Sequence, residues 1–378
     1  ARELCQQVGE APPQLFSVLW GLYTFYFSQA ELQTAHELGG QCLSLAQSVQ
    51  DPVLLLEAHM LGGLSLYSQG EFVPAREHFA QGIALYDSQQ HRSHALIYGQ
   101  DPWVACWGYT AYALWQLGYP NQALKKIHEA FTLAQEQSHP FSLALTLGWA
   151  ATFHQLHRDG HLAQERAEAA ITFSIEHGFP FHVAWGTILQ GWALAEQGQE
   201  EEGITQIRQG LAAWRATGVE VWRPYFLALL AEVYGKAGQP EEGLTVLAEA
   251  LAVVEKTGER WYEAELYRLK GQLTLQSQSG PRQVKIGQDK SEDTDPRPLT
   301  PDPQAEACFL KAIEIARQQQ AKSLELRAVM SLSRLWQQQG KKEEARQMLA
   351  KIYRWFTEGF DTKDLQEAKV LLEELADR

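Results

Sequence analysis

The sequence predicts an all-α protein: a right-handed superhelical solenoid of antiparallel helix hairpins, repeating about every 40 residues. Three observations predict it. Between Trp185 and Gly258 one pattern is written twice, as Gly198-Gln199-Glu200-Glu201-Glu202-Gly203 and again as Gly238-Gln239-Pro240-Glu241-Glu242-Gly243. Each block is flanked by apolar-periodic segments, Ile188, Leu189, Trp192 and Leu194 before the first and Ile204, Ile207, Leu211 and Trp214 after it. Each copy then closes on Thr-Gly, at Thr217-Gly218 and Thr257-Gly258. A helix, a glycine turn, a second helix and a glycine stop is the simplest reading of that order.

Taken along the chain, the small residue that opens each second helix recurs at Ala35, Ala75, Ala123, Ala163, Gly203, Gly243, Ala305 and Ala345, which sets out eight hairpins. Turn glycines stand five residues earlier at Gly70, Gly118, Gly198, Gly238 and Gly340, and the fourth unit departs, with Gly160 displaced towards its second helix. Residues 1–9 read as the second helix of a truncated unit, so the chain is expected to be a piece of a longer polypeptide. The connection around Gln89–Pro102 is eight residues longer than its counterparts and ends on Asp101-Pro102, a helix-start signal shared with Asp51-Pro52. Ser277 to Pro303 carries five prolines and almost nothing apolar, so it is expected to be a disordered insertion within the seventh hairpin; a domain boundary is the alternative. The whole of 1–378 otherwise reads as one solenoid, and Thr362 to Ala376 as a C-terminal helix whose polar face caps an open apolar end.

Net charge is −14. That sign repels phosphate backbones and anionic lipid, so neither nucleic acid nor a membrane surface is an expected partner. No apolar run approaches a spanning length. Cys5, Cys42, Cys106 and Cys308 lack any Cys-x-x-Cys spacing and read as free thiols of a reducing, cytoplasmic compartment.

The unit resembles the tetratricopeptide repeat. Leu230-Ala231-Glu232-Val233-Tyr234 and Ala75-Arg76-Glu77-His78-Phe79 match its two helices, and Trp107 stands where its motif places a Trp. Longer phrases are similar to the C-terminal repeat region of bacterial adenylate/guanylate cyclases that also carry an AAA-type ATPase module. They include Leu85-Tyr86-Asp87-Ser88-Gln89-Gln90-His91-Arg92, Trp185-Gly186-Thr187-Ile188-Leu189-Gln190-Gly191-Trp192-Ala193 and Gly258-Glu259-Arg260-Trp261-Tyr262-Glu263-Ala264-Glu265-Leu266-Tyr267-Arg268. This resemblance implies catalytic and ATP-binding modules elsewhere in a parent chain, and attached partners for this segment.

No catalytic motif is present: no phosphate-binding loop, nucleophile elbow or His-Glu-x-x-His. His157-Arg158-Asp159 echoes a kinase catalytic loop, but Gln164 replaces the Asn that would hold magnesium. Glu201-Glu202, Glu241-Glu242 and Glu343-Glu344 recur at the start of second helices, where they offset the helix dipole, so they are read as structural. His154, His157 and His161 form the one candidate metal cluster, but Asp159-Gly160 should break the helix before His161, and packing is the simpler reading. No cofactor is expected.

In the tetratricopeptide fold the first helices line the concave groove. Carried over by register, the resemblance places Trp20, Tyr67, Tyr112, Trp115, Trp185, Trp192, Tyr225, Glu232, Lys236, Arg268, Gln272 and Arg334 on that stripe. A groove that changes from aromatic to charged along its length suits a peptide with apolar anchors and an acidic end; packing between repeats is the competing role for the aromatics. The expected function is a non-catalytic sensor or scaffold arm of a multidomain bacterial signalling protein. The alternative is a stand-alone adaptor binding a partner peptide in the groove. The edge at residues 1–27 (Leu15, Phe16, Leu19, Trp20, Leu22, Phe25) is expected to be open and prone to self-association.

Overall fold

The computed structural model describes residues 12–86, 94–279 and 303–376. Eight hairpins follow one another: α1 (Pro12–Ser28) with α2 (Leu32–Val49), α3 (Pro52–Ser68) with α4 (Phe72–Leu85), then, after a short α5 (His94–Tyr98), α6 (Pro102–Gln116) with α7 (Pro120–Gln137). They continue as α8 (Pro140–Leu156) with α9 (Gly160–His177), α10 (Pro180–Glu196) with α11 (Glu200–Ala216), and α12 (Arg223–Lys236) with α13 (Pro240–Thr257). The last are α14 (Glu263–Ser279) with α15 (Pro303–Gln318) and α16 (Lys322–Gln338) with α17 (Lys342–Tyr353), followed by α18 (Lys363–Ala376). No strand occurs among the described residues.

The hairpin register follows from side-chain size. Ala35, Ala75, Ala123, Ala163, Ala305 and Ala345 are fully buried where each second helix starts. Helices approach closely in the fifth hairpin, where a Cβ on Gly203 would lie 2.5 Å from the Gly191 carbonyl oxygen. The turn glycines hold left-handed φ angles, from 71 at Gly238 to 86 at Gly118. In the fourth hairpin that slot is filled by Arg158, at φ 60. Helix starts are written in side chains as well: the Asp51 carboxylate accepts the N–H of Val53, and that of Asp101 accepts those of Trp103 and Val104.

The segment expected to be an insertion from 277 to 303 is helical at both ends. α14 runs on to Ser279, with the Ser277 hydroxyl bonded to Glu241 of the preceding hairpin, and α15 begins at Pro303. Residues 280–302, the expected helix at 1–9 and residues 87–93 of the long connection lie outside the described residues. The edge expected to be open is partly covered. Phe16 and Leu19 are buried, Tyr98 of α5 packs on Phe16 and Trp20 at 6.3 and 5.0 Å between ring centres, and Phe25 is the large side chain left exposed.

The superhelix closes on itself. Ser28, at the end of α1, accepts backbone N–H groups from Glu220 and Val221 in the connection between the fifth and sixth hairpins. Ser68, at the end of α3, accepts those of Arg260 and Trp261 one hairpin later. The carbonyl of Trp115 accepts from the Ser323 hydroxyl, and that of Leu156 from Arg327. Each first helix in the amino-terminal half therefore rests on a connection or helix four to five hairpins further on. The axis between these turns is filled with rings: Trp222 and Trp261 sit 5.6 Å apart, and Tyr67, Tyr112, Tyr225 and Trp185 each lie 5.0 to 6.1 Å from one of them. Burial of that much aromatic surface, at roughly 25 cal/mol per Å², favours closure over a wide empty groove.

Candidate functional site

Where the aromatic filling ends, towards the carboxyl-terminal half of the axis, a polar cavity of about 200 Å³ opens. Five elements build it. Gln155 closes the end of α8 and Arg158 follows it; Glu232 and Lys236 come from α12; Glu265, Arg268 and Gln272 from α14; Arg327, Ser331 and Arg334 from α16; Asp364 and Glu367 from α18. Inward positions of successive first helices are neighbours in a solenoid, so residues far apart in sequence converge here.

The charges form one connected network. Arg268 holds Glu265 through two parallel bonds of 2.9 and 2.7 Å, a fork that matches a carboxylate. Arg327 is buried, bonded to Asp364 at 2.7 Å, 3.8 Å from Glu265 and 5.0 Å from the centre of the Trp115 ring. Arg158 reaches Asp364 at 3.0 Å and Glu367 at 2.9 Å, and Arg334 reaches Glu367 at 3.4 Å. Burial works to raise the Asp364 and Glu265 carboxyls, but Arg327 and Arg158 beside the first, and Arg268 and Arg327 beside the second, hold both below the usual range. Glu232 goes the other way: burial pushes it up, against the indole N–H of Trp192 at 3.0 Å. Lys236 touches Glu196 and lies 3.5 Å from Glu232. Burial and the nearby Arg158, Lys363 and Arg268 push its amine down to about 7, while the two carboxylates in contact favour the charged form.

The cavity wall carries Arg158, Lys236, Arg268, Arg327 and Arg334 against Glu232, Glu265, Asp364 and Glu367. Lys236 is paired with Glu196 just outside this wall, so four arginines face four carboxylates, an unusual gathering of guanidinium groups in a chain of net charge −14. Arg158 adds a second mark. A left-handed backbone costs a residue with a Cβ about 1–2 kcal/mol, and the equivalent position is glycine in five other hairpins. Ala30 holds the same slot of the first hairpin at φ 57, so the conformation belongs to the turn and the guanidinium is what sets Arg158 apart.

Of the residues placed on the inner stripe by sequence, Glu232, Lys236, Arg268, Gln272 and Arg334 line the cavity. The aromatic ones do not line a groove, because the next superhelical turn covers them. Tyr67, Tyr112, Trp115, Trp185, Trp192 and Tyr225 are all at most 3% exposed. Most of their polar atoms are committed too: Trp185 donates to Thr152, Tyr112 to the Trp149 carbonyl, Tyr225 to Gln155 and Trp192 to Glu232. Trp20 lies apart, its indole N–H on the buried Glu57. Sequence reasoning missed Gln155, Arg158, Glu265, Arg327, Asp364 and Glu367. A signal existed for Arg158, the one long side chain in a glycine slot, and for Glu265 and Arg327, charged residues set among the apolar positions of their first helices.

The three histidines do not converge. His154 and His157 are pushed down to about 4 by burial, and His161 is exposed on α9. Cys42 and Cys106 are buried free thiols.

No family profile matches the chain. An uncharacterized protein of Rhizobium meliloti is 23% identical over 278 residues, 73% of this chain, and the chain spans about a quarter (26%) of that relative's length. Among solved structures, a Rap protein complexed with Competence and Sporulation Factor aligns over 96% of this chain and 99% of its own, with a TM-score of 0.57 and 10% identity. NprR in complex with its cognate peptide NprX covers 94% and 96%, at 0.53 and 12%. Human IFIT1, as a dimer with m7Gppp-AAAA, covers 94% and 76%, at 0.52 and 14%. These likenesses establish a tetratricopeptide-like superhelical solenoid. One such fold is seen with a peptide and another with m7Gppp-AAAA, so the ligand class has to be argued from this chain's own cavity.

Proposed function

We propose that this chain is a non-catalytic tetratricopeptide-like scaffold that receives part of a partner peptide in the polar cavity at the end of its superhelical axis. The observation that carries this reading is Arg158: a left-handed turn residue aims its guanidinium into a recess that gathers four arginines, in an otherwise acidic chain. The volume, below the roughly 300–1000 Å³ of small-molecule sites, suits one or two peptide residues. The Rap and NprR likenesses support the reading, since NprR is seen with its cognate peptide on this fold. The buried axis gives no room to the apolar anchors expected from sequence, so recognition falls to the charged half. Net charge argues against an oligonucleotide.

The test is to pan a displayed random peptide library against the chain and measure the selected peptides by calorimetry. Micromolar binding that weakens at least tenfold in Arg334→Gln and Gln272→Ala, two exposed wall residues, supports the cavity. Binding indifferent to both places the site elsewhere.

A second reading has its own support. The relative is about four times longer than the matched region, and the phrases beginning at Leu85, Trp185 and Gly258 resemble the repeat region of cyclases with an ATPase module. In that setting the scaffold is a regulatory arm, and ligand affinity has to differ between two states of the parent. Comparing ATP hydrolysis and cyclic-nucleotide production by the parent with and without this segment tests it; rates unchanged by the deletion would remove it.

A further inference from the structure

We propose that Glu367 stands in, within the free protein, for a carboxylate carried by the ligand, so that an acidic peptide group binds by displacing Glu367 from Arg158 and Arg334 and loosens α18. This rests on the peptide-binding reading above and names the chemistry recognised. Glu367 belongs to the helix that closes the chain's carboxyl-terminal end and not to the hairpins that build the walls. It is the most exposed carboxylate of the cavity, 31% against 5% for Glu265 and 15% for Asp364. Its two oxygens are divided between two arginines, 2.9 Å from Arg158 and 3.4 Å from the half-exposed Arg334. Asp364, by contrast, is fixed by Arg327 and Arg158 together and keeps its place if Glu367 leaves.

Removing Glu367 from the recess leaves four arginines facing three carboxylates, with Lys236 engaged by Glu196, the arrangement that receives an incoming anion. A ligand carboxylate seated between Arg158 and Arg334 exchanges one ion pair for another, at little net electrostatic cost to the wall. What changes is α18, which loses its ion pairs to Arg158 and Arg334 and keeps those that Asp364 makes with Arg158 and Arg327. Ligand occupancy and seating of this helix are then coupled, each weakening the other to the same degree.

The carboxylate can come from a chain terminus or an acidic side chain, and two probes separate these. One is a tripeptide with a free carboxyl terminus and no acidic residue. The other is an acetylated, amidated tripeptide with a central Glu, and its Gln counterpart is the neutral control. Each is titrated calorimetrically into the full chain and into Glu367→Gln. The expected result is that one charged probe binds and binds Glu367→Gln about three- to tenfold more tightly, while Arg334→Gln loses it. Saturation should also speed hydrogen exchange over residues 363–376 several-fold. Equal affinity for both forms with unchanged exchange overturns the displacement and leaves peptide binding standing. A neutral control that binds as well as the charged probes overturns carboxylate recognition. If no probe binds either form at millimolar concentration and panning yields no peptide, both readings fall.

Discussion

The backbone N–H of Trp222 donates to both carboxylate oxygens of Glu259, at 2.9 and 3.0 Å, and the indole N–H of Trp261 reaches the same carboxylate at 3.0 Å. One buried acid thus ties together the two connections that carry the axial tryptophans, and it helps hold Trp222 in its left-handed conformation at φ 70.

Glu259→Ala is expected to cost about 2–4 kcal/mol in a urea titration, because it strands two buried N–H donors. Glu259→Gln keeps an acceptor oxygen and should cost less. Burial pushes Glu259 up to about 8 despite those hydrogen bonds. A raised carboxyl contributes stability in full below the unfolded value near 4.5 and loses it as pH rises through 8. Wild type should therefore weaken between pH 6 and 8.5 more than Glu259→Gln does. Equal slopes would show that Glu259 is ionised throughout.

The acid limb has a different source. His182 is buried among Phe141, Phe179 and Phe181, and burial lowers it to about 4. The unfolded chain takes up this proton near 6.5 and the folded one does not. The contribution is complete above 6.5 and disappears as pH falls towards 4. His182→Phe should lose about 2 kcal/mol less than wild type between pH 7 and pH 5.

Gly203→Ala looks conservative, since six other hairpins carry Ala at this position. In the fifth hairpin the added methyl meets the backbone oxygen of Gly191, which has no rotamer to escape into. A loss of about 1–3 kcal/mol is expected. An unchanged melting temperature would mean that α10 and α11 separate at no cost.

Trp261→Ala removes a ring that contacts Tyr67, Trp222 and Tyr225 across the axis. The expected cost is about 3–5 kcal/mol. A larger radius of gyration by small-angle scattering should accompany it as the turns part, and stability loss without expansion would confine the role of Trp261 to its own connection.

The hairpins were legible because helix pairing is local: Ala75 or Gly243 marks a start, Gly70 or Gly238 a turn, and both act through neighbours a few residues away. The direction of the inner stripe was legible for the same reason. What those side chains meet was not. Tyr67 faces inward by its place on α3, but that it meets Trp261 depends on how many hairpins complete a turn, a sum of small rotations that no single repeat encodes. Trp222 and Trp261 carried a hint, as large apolar residues in connections that would otherwise be wet. The cavity was half legible: Arg268 and Arg334 lie on the stripe, whereas Asp364 and Glu367 arrive from a helix beyond the last repeat.

Closure of the superhelix also sets the order of events during synthesis. Repeat chains usually fold from any point outward, each unit needing only its neighbour. Here Ser28 waits for Glu220 and Ser68 for Arg260. At about 5–20 residues per second, roughly 10–40 s separate the ends of each pair on the ribosome. For that interval Tyr67 and Tyr112 have no covering turn, and the amino-terminal half presents a sticky inner wall. Contacts of such sequence separation slow the final step as well. Chaperone dependence of the nascent first half, vanishing once residue 261 has emerged, is the cellular signature to expect.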